Sequence, residues 1–232
     1  MSILILPLAG FAIFSFFYGK NEAKYGFFSR IRLAFVQMLL AGGLLVYVST
    51  ETLSYFNSLN YPSIAVFWSL ITLVFGYFNF KKKYWVLSYH DFIKAGKILT
   101  RKEQILFYLI GLIYLLPLLF LAVYAPPNNT DSVNYHLARV IFWLQNQNVE
   151  HFPTVYIQQL YHNIFSEYIL LHIMALNGWK DYFVNLVQWL AMLGSVFSIG
   201  LLGKLFGFRI RIQLLLSILQ LTLPIGILES TT

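Results

Sequence analysis

Residues 105–124 read ILFYLIGLIYLLPLLFLAVY, a run of apolar and aromatic residues without a single charge. At about 1.5 Å per residue, some twenty residues of helix span the hydrocarbon core of a bilayer, about 30 Å thick. The run belongs to a chain of 232 residues that is 59% hydrophobic and 19% aromatic but only 11% charged, with a mean hydropathy of +0.68. A soluble domain carries about 25% charged residues. The composition therefore excludes an ordinary soluble domain and a disordered chain, and the lack of cysteine excludes a disulfide scaffold. The fold class is all-α: a polytopic transmembrane helical bundle.

Working outward, residues 33–48, 62–80, 182–202 and 212–228 are further spans, and 2–18 is a slightly short sixth. Residues 2–18 lack the basic leader and small-residue cleavage site of a secretory signal, so they read as a retained helix. Pro117 and Pro224 fall inside spans, where neighbouring helices can satisfy the freed carbonyls. None of the six stretches contains Lys, Arg, Asp, Glu or His.

The net charge of +7 invites a nucleic-acid reading, but the positions of the charges give a better one. Lys20, Lys24, Arg30 and Arg32 lie in loop 19–32, and Lys204, Arg209 and Arg211 in loop 203–211. Loop 81–104 holds Lys81, Lys82, Lys83, Lys94, Lys97, Arg101 and Lys102. Only Arg139 and Lys180 fall elsewhere among the sixteen basic residues. By the positive-inside rule these loops are cytoplasmic, so 49–61, 125–181 and both termini face the other side. Residues 1–80 then form a leading three-helix segment, 81–104 a basic cytoplasmic linker, and 105–232 the part that carries chemistry. There is no internal repeat.

Residues 164–176 are apolar but short, and making them a span would place the last basic loop outside. They are expected to form a helix lying on the outer membrane surface. Before them, Pro126 and Pro127 end a span, and Thr130 or Asp131 can cap the next helix. Val133, Leu137, Val140, Ile141 and Leu144 then recur at helical spacing. This predicts an interfacial helix that turns Asn134, Arg139 and Gln145 to water. Gln145-Asn146-Gln147-Asn148 is the polar turn that ends it.

The sequence Asn129-Thr130-Asp131-Ser132, followed by Tyr135-His136-Leu137-Ala138-Arg139, Trp143-Leu144 and His151-Phe152-Pro153-Thr154, resembles the first external loop of the C-type (GT-C) membrane glycosyltransferases. That superfamily includes the family-39-like proteins, the protein O-mannosyltransferases, the aminoarabinose transferases and the oligosaccharyltransferases. The turn Gly203-Lys204-Leu205-Phe206-Gly207 extends the likeness over residues 105–232. Many relatives begin the second juxtamembrane helix with Pro-Pro, where this chain has His162-Asn163-Ile164-Phe165. Relatives also have more core helices than this chain, so the resemblance implies an N-terminal piece of a longer enzyme.

The resemblance implies transfer of a sugar from a polyprenyl-phosphate donor to a glycan, lipid or protein acceptor, on the extracytoplasmic face of a bacterial inner membrane. It gives Asp131 the catalytic place, as base for the acceptor hydroxyl or as the carboxylate that orients it. Tyr135, His136, Arg139 and Glu167 become the substrate-binding set, with His136 and Arg139 as donors to the phosphate. It implies no cofactor built by the protein and leaves room for a divalent cation shared with the substrate phosphate. The partners expected are the bilayer, the lipid-linked sugar and the acceptor, with no nucleic acid.

Each residue has a plainer role open to it. Asp131 can be a helix cap, Arg139 can snorkel to headgroups, and Trp143, Trp179 and Trp189 can be interface or packing aromatics. His136, His151, His162 and His172, with Glu150 and Glu167, lack the spacing of a metal motif. Asn128-Asn129-Thr130 matches a glycosylation sequon, which needs a secretory compartment to matter. A transporter or flippase for a lipid-linked substrate is the alternative, and a non-catalytic membrane subunit a third. Transporters place ionisable groups or broken helices near the bilayer midplane, whereas the polar residues here gather in one external loop.

Overall fold

The computed structural model describes residues 3–21, 25–84, 93 and 97–229. Much of the basic linker 81–104, and Lys24 with it, lies outside the described residues. Among those described, every regular element is helical. The helices are α1 (Ile5–Lys20), α2 (Phe27–Tyr55), α3 (Tyr61–Lys82) and α4 (Arg101–Tyr124), then α5, a π turn Ser132–Leu137 continued by Ala138–Asn146. After these come α6 (Gln158–Tyr161), α7 (Phe165–Leu176), α8 (Leu186–Leu205), α9 (Ile210–Leu221) and α10 (Pro224–Glu229). Four of them, α2, α3, α4 and α8, are long and apolar enough to cross a membrane. α1, α7 and α9 are shorter apolar helices.

The expected spans 2–18 and 182–202 shift by a few residues, to Ile5–Lys20 and Leu186–Leu205, and two others differ more, for local reasons. α2 runs well past 33–48 at both ends, so Arg30 and Arg32 sit on its first turns and not in a loop. It starts after Gly26, whose φ of 69° is a left-handed conformation that favours glycine. The stretch 212–228 is not one helix. The residue before a proline is pushed toward extended backbone, and the proline ring clashes with the carbonyl four residues earlier. The chain accordingly breaks at Thr222 and Leu223, and Pro224 begins α10. Pro117 is absorbed differently: the preceding turn, Gly111–Leu115, widens to π geometry, and the Leu116 N–H reaches back to the Gly111 carbonyl.

The helices pack so that the basic segments meet at one end. Lys204 Nζ donates to the Tyr25 carbonyl at 3.1 Å, and Arg211 pairs with Glu103 at 2.9 Å. Arg32 passes between α2, α8 and α9 to reach Gln213 Oε1 at 3.0 Å. Gly200 makes the room: a Cβ there would lie 2.8 Å from the Arg32 Cζ and 2.8 Å from Ser217 Oγ.

The opposite end is tied by neutral polar contacts. The Leu59 N–H donates to the Gln147 carbonyl at 3.1 Å, Asn148 Nδ2 to Asn57 Oδ1 at 2.8 Å, and the Val149 N–H to Ser54 Oγ at 2.9 Å. The loop 125–181 thus folds over the end of the bundle away from the basic residues.

α7 departs from the expected surface helix. It is too short to cross a membrane, but it is the most enclosed helix of the bundle. Tyr168, Leu171, His172, Ile173, Met174, Ala175 and Leu176 are all buried, packed against α2, α3 and α5. A helix lying flat in an interface has one wet face. Here that face is covered by the loop's own first helix.

His172 anchors this packing. Trp68 Nε1 donates to its Nδ1 at 2.8 Å, which leaves the ring proton on Nε2, 3.0 Å from Thr50 Oγ1. Burial pushes the imidazole down to about 3, so it is neutral.

Candidate functional site

The site is built on α5, α6 and α7. The first turn of α5 is closed by Asn129, whose Oδ1 accepts the Ser132 N–H at 2.6 Å. Asp131 has helical backbone angles and makes no capping hydrogen bond. This replaces the expectation that Thr130 or Asp131 is the cap. Residues 132–137 then run as a π turn, a form often found at functional sites.

Arg139 does not face water. Its side chain is 0% exposed, which corrects both the water-facing expectation and the headgroup-snorkelling alternative. Nη1 donates to Glu167 Oε1 at 3.1 Å and to the His162 carbonyl at 3.1 Å, and Nη2 to the Gln158 carbonyl at 2.8 Å. The guanidinium lies 5.5 Å from the Trp143 ring centroid. Arg139 is therefore a brace that gathers the loop containing α6 onto α5. Its Nε is buried without a hydrogen-bond partner.

Glu167 is equally enclosed and stands at the centre. Its Oε1 accepts from Arg139 and from His136 Nδ1, the latter at 2.7 Å, and its Oε2 accepts from Ser166 Oγ at 2.7 Å. Burial acts to raise its pKa. The hydrogen bonds from His136, Ser166 and its own backbone, with the charge of Arg139, outweigh that and hold the carboxyl below its ordinary range. Burial lowers the Arg139 guanidinium, opposed by the Glu167 charge.

His136 is the exposed end of this network, with 30% of its side chain accessible. It lines a small hollow of about 60 Å³ with Pro127, Ser132, Ser166, Leu170, Asn185 and Gln188. On the other flank of the π turn lies a wider open cleft of about 370 Å³. Asp131, Asn134, Tyr135, Tyr156, Gln158, Tyr161 and His162 line it. There the Tyr135 ring stacks on His162 at 4.8 Å, and Tyr161 stacks on His162 at 4.6 Å. Burial, then the charge and hydrogen bond of Asp131, raise the Tyr135 phenol above its ordinary value.

The structure thus brings His136, Arg139 and Glu167 into one network, with Asp131 and Tyr135 on its adjoining flank. Ser166 and Gln158 are members that the sequence reading passed over, and His162 was weighed only as a metal ligand. Ser166 had a signal in its adjacency to Glu167. Gln158 lies in an irregular stretch where no periodicity marks it.

Other candidates fall elsewhere. His151 and Glu150 are exposed on the loop, and His172 is the buried anchor described above. Among the described residues no group of three His, Asp or Glu side chains is placed to share a metal ion. Of the tryptophans, Trp143 is buried and Trp179 exposed. Compared with known proteins, the chain matches no family model, no curated protein and no solved structure.

Proposed function

We propose that this chain belongs with the membrane glycosyltransferases of the C type and carries the chemistry of their first external loop. It moves a sugar from a polyprenyl-phosphate donor to a glycan, lipid or protein acceptor on the extracytoplasmic face of a bacterial inner membrane. The carrying observation is the convergence of Asp131, Tyr135 and His136 at the end of the bundle opposite the basic loops, beside the buried Arg139–Glu167 pair. In this reading six spans cross the bilayer, with α1 and the α9–α10 pair as the short members. The basic end is cytoplasmic.

The two flanks of the π turn suit different substrates. The narrow hollow at His136 is walled by Leu137, Leu170, Val184 and Val187. It suits a donor whose lipid tail lies between helices. The open, aromatic cleft at Asp131 suits a hydroxyl-bearing acceptor, which the carboxylate deprotonates or orients. Arg139 acts indirectly, by keeping Glu167 and the α6 loop in place.

The test is transfer from polyprenyl-phosphate hexoses and pentoses in proteoliposomes, using the full-length protein and its Asp131→Asn variant. Transfer by the parent and its loss in the variant is the expected result. A variant that transfers normally removes Asp131 from the site. A parent that moves lipid-linked sugar across the bilayer without transferring it establishes the carrier reading instead. Chelation with EDTA separates direct phosphate contacts from a cation shared with the substrate.

A further inference from the structure

We infer that Glu167 and His136 form a proton-transfer dyad, in which Nε2 of His136 takes the proton of a hydroxyl-bearing ligand in the hollow between α5, α7 and α8. The inference rests on the transferase reading only for the identity of the reaction. It leaves the body of the acceptor in the cleft beside Asp131, brings its reacting hydroxyl across the π turn to the hollow where the donor lies, and moves the proton to His136.

The geometry supports this in three steps. A carboxylate with donors on both oxygens has no proton of its own to give, so the 2.7 Å contact places the imidazole proton on Nδ1. Nε2 is then the lone-pair nitrogen. It makes no hydrogen bond among the described residues, and its ring lines the hollow. Finally, Glu167 cannot turn away, because Arg139 and Ser166 hold its two oxygens and the carbonyls of Gln158 and His162 hold Arg139.

The arrangement does what a buried carboxylate does for a catalytic histidine elsewhere: it fixes the tautomer and stabilises the imidazolium that forms. In the step proposed, the ligand O–H bond breaks and an Nε2–H bond forms, with the electron pair staying on oxygen. That oxygen bonds to the anomeric carbon of the donor sugar as the bond from that carbon to the phosphate oxygen breaks. The phosphate leaves with the electron pair. Glu167 is a positioning residue here, and His136 the one that meets the ligand.

Diethyl pyrocarbonate acylates an imidazole nitrogen that has a free lone pair, and it tests the dyad without any substrate. The full chain in nanodiscs is treated near neutral pH, and each histidine is followed by mass spectrometry. His151, exposed on the loop, is the reference. His172, with both ring nitrogens bonded inside the bundle, reacts only if the packing is lost. Glu167→Gln keeps an acceptor for Arg139 but removes the charge; it should slow His136 acylation about five-fold while His151 is unchanged. Ser166→Ala, which leaves the ion pair in place, should slow it about two-fold.

Equal His136 rates in the parent and both variants, with His172 silent, overturn the dyad. So does a parent whose His136 fails to react while His151 does. If His172 reacts in Glu167→Gln, Ser166→Ala decides. In the transfer assay His136→Asn should lose about 10²–10⁴-fold. A dyad that responds as stated in a protein that transfers no sugar sinks the transferase reading alone. An indifferent His136 in a protein that does transfer sinks the dyad alone.

Discussion

Asn129 Oδ1 and the Ser132 N–H, 2.6 Å apart, close the first turn of α5 and leave the Asp131 carboxylate without a structural hydrogen bond to the helix end. Cap and candidate site residue are thus separate side chains two positions apart. Asn129→Ala should cost about 1 kcal/mol of stability, the usual value of a lost cap. Asp131→Asn should leave thermal unfolding unchanged and lower sugar transfer by about 10²-fold or more, the cost of misplacing a reacting group. Unfolding and transfer measured on both variants separate the two roles. A destabilised Asp131→Asn protein would return Asp131 to the frame of the helix.

Arg139 and Glu167 are both fully enclosed, so removing either strands the other's charge. Arg139→Met or Glu167→Leu alone should destabilise by about 3–5 kcal/mol. The double variant should lose much less than the sum, because apolar side chains of similar size replace the pair. Thermal unfolding in one detergent supplies the four corners of the cycle. Additive losses would mean that the two side chains do not share an interaction.

His172 makes stability depend on acid. Its folded pKa of about 3 lies below the ordinary histidine value of about 6.5, so between these limits the unfolded chain binds more protons. The contribution is complete above about pH 6.5 and is lost as pH falls toward 3. Glu167, held below the ordinary carboxylate range, adds a loss that begins only below about pH 4.3. Unfolding midpoints from pH 7 to 4 should therefore fall in the parent. They should fall less in His172→Gln, which cannot be protonated. An equal slope in both would place the acid sensitivity elsewhere.

Long uncharged runs made the membrane class readable, because nothing but a bilayer or a helix interior accepts ILFYLIGLIYLLPLLFLAVY. Helix ends were less readable. α2 continues through Arg32 at one end and Thr50 at the other because its neighbours bury those residues, a fact of packing and not of composition. Arg139 was misplaced for the same reason. On an isolated amphipathic helix its position is the wet face, and only the docking of α7 with Glu167 turns that face inward. Asp131, Tyr135, His136, Arg139 and Glu167 were named through the resemblance of the loop to the C-type transferases, not through spacing. That Glu167, His162 and Gln158 meet on Arg139 is a contact across gaps that only the fold closes.

Gly200 is the point at which α2, α8 and α9 come together. A Cβ there meets the Arg32 guanidinium and the Ser217 hydroxyl, both held in hydrogen bonds. Gly200→Ala should therefore destabilise by about 1–3 kcal/mol through overpacking. At Gly194 the nearest obstacle is the flexible tip of Leu39, and Gly194→Ala should be tolerated. Equal unfolding temperatures for the two variants would remove Gly200 from the contact.

Leu59 and Asn60 bind Gln147 directly, so Ser58 and Gln147 lie at the same end of the bundle. Cysteines placed at both should react together with an impermeant reagent added to intact cells, and one at Lys97 should not react. Labelling of Lys97 with both others silent would invert the orientation. Labelling of only one of Ser58 and Gln147 would contradict the contact itself.

The π turn at Ser132–Leu137 fixes the phase between the start of α5 and the rest of it. Each residue of a helix advances the side chains by about 100°, so a turn wound one residue wider acts like an extra tooth on a gear. Here that tooth lets Asp131 and Tyr135 open onto one hollow and His136 onto another, while Arg139 still meshes with Glu167. Deleting one residue from the turn, Val133 for example, would keep every named side chain of the site. The turn would close to ordinary winding, with Asp131 and Arg139 keeping their bearings while the residues between them lose the offset that separates the two hollows.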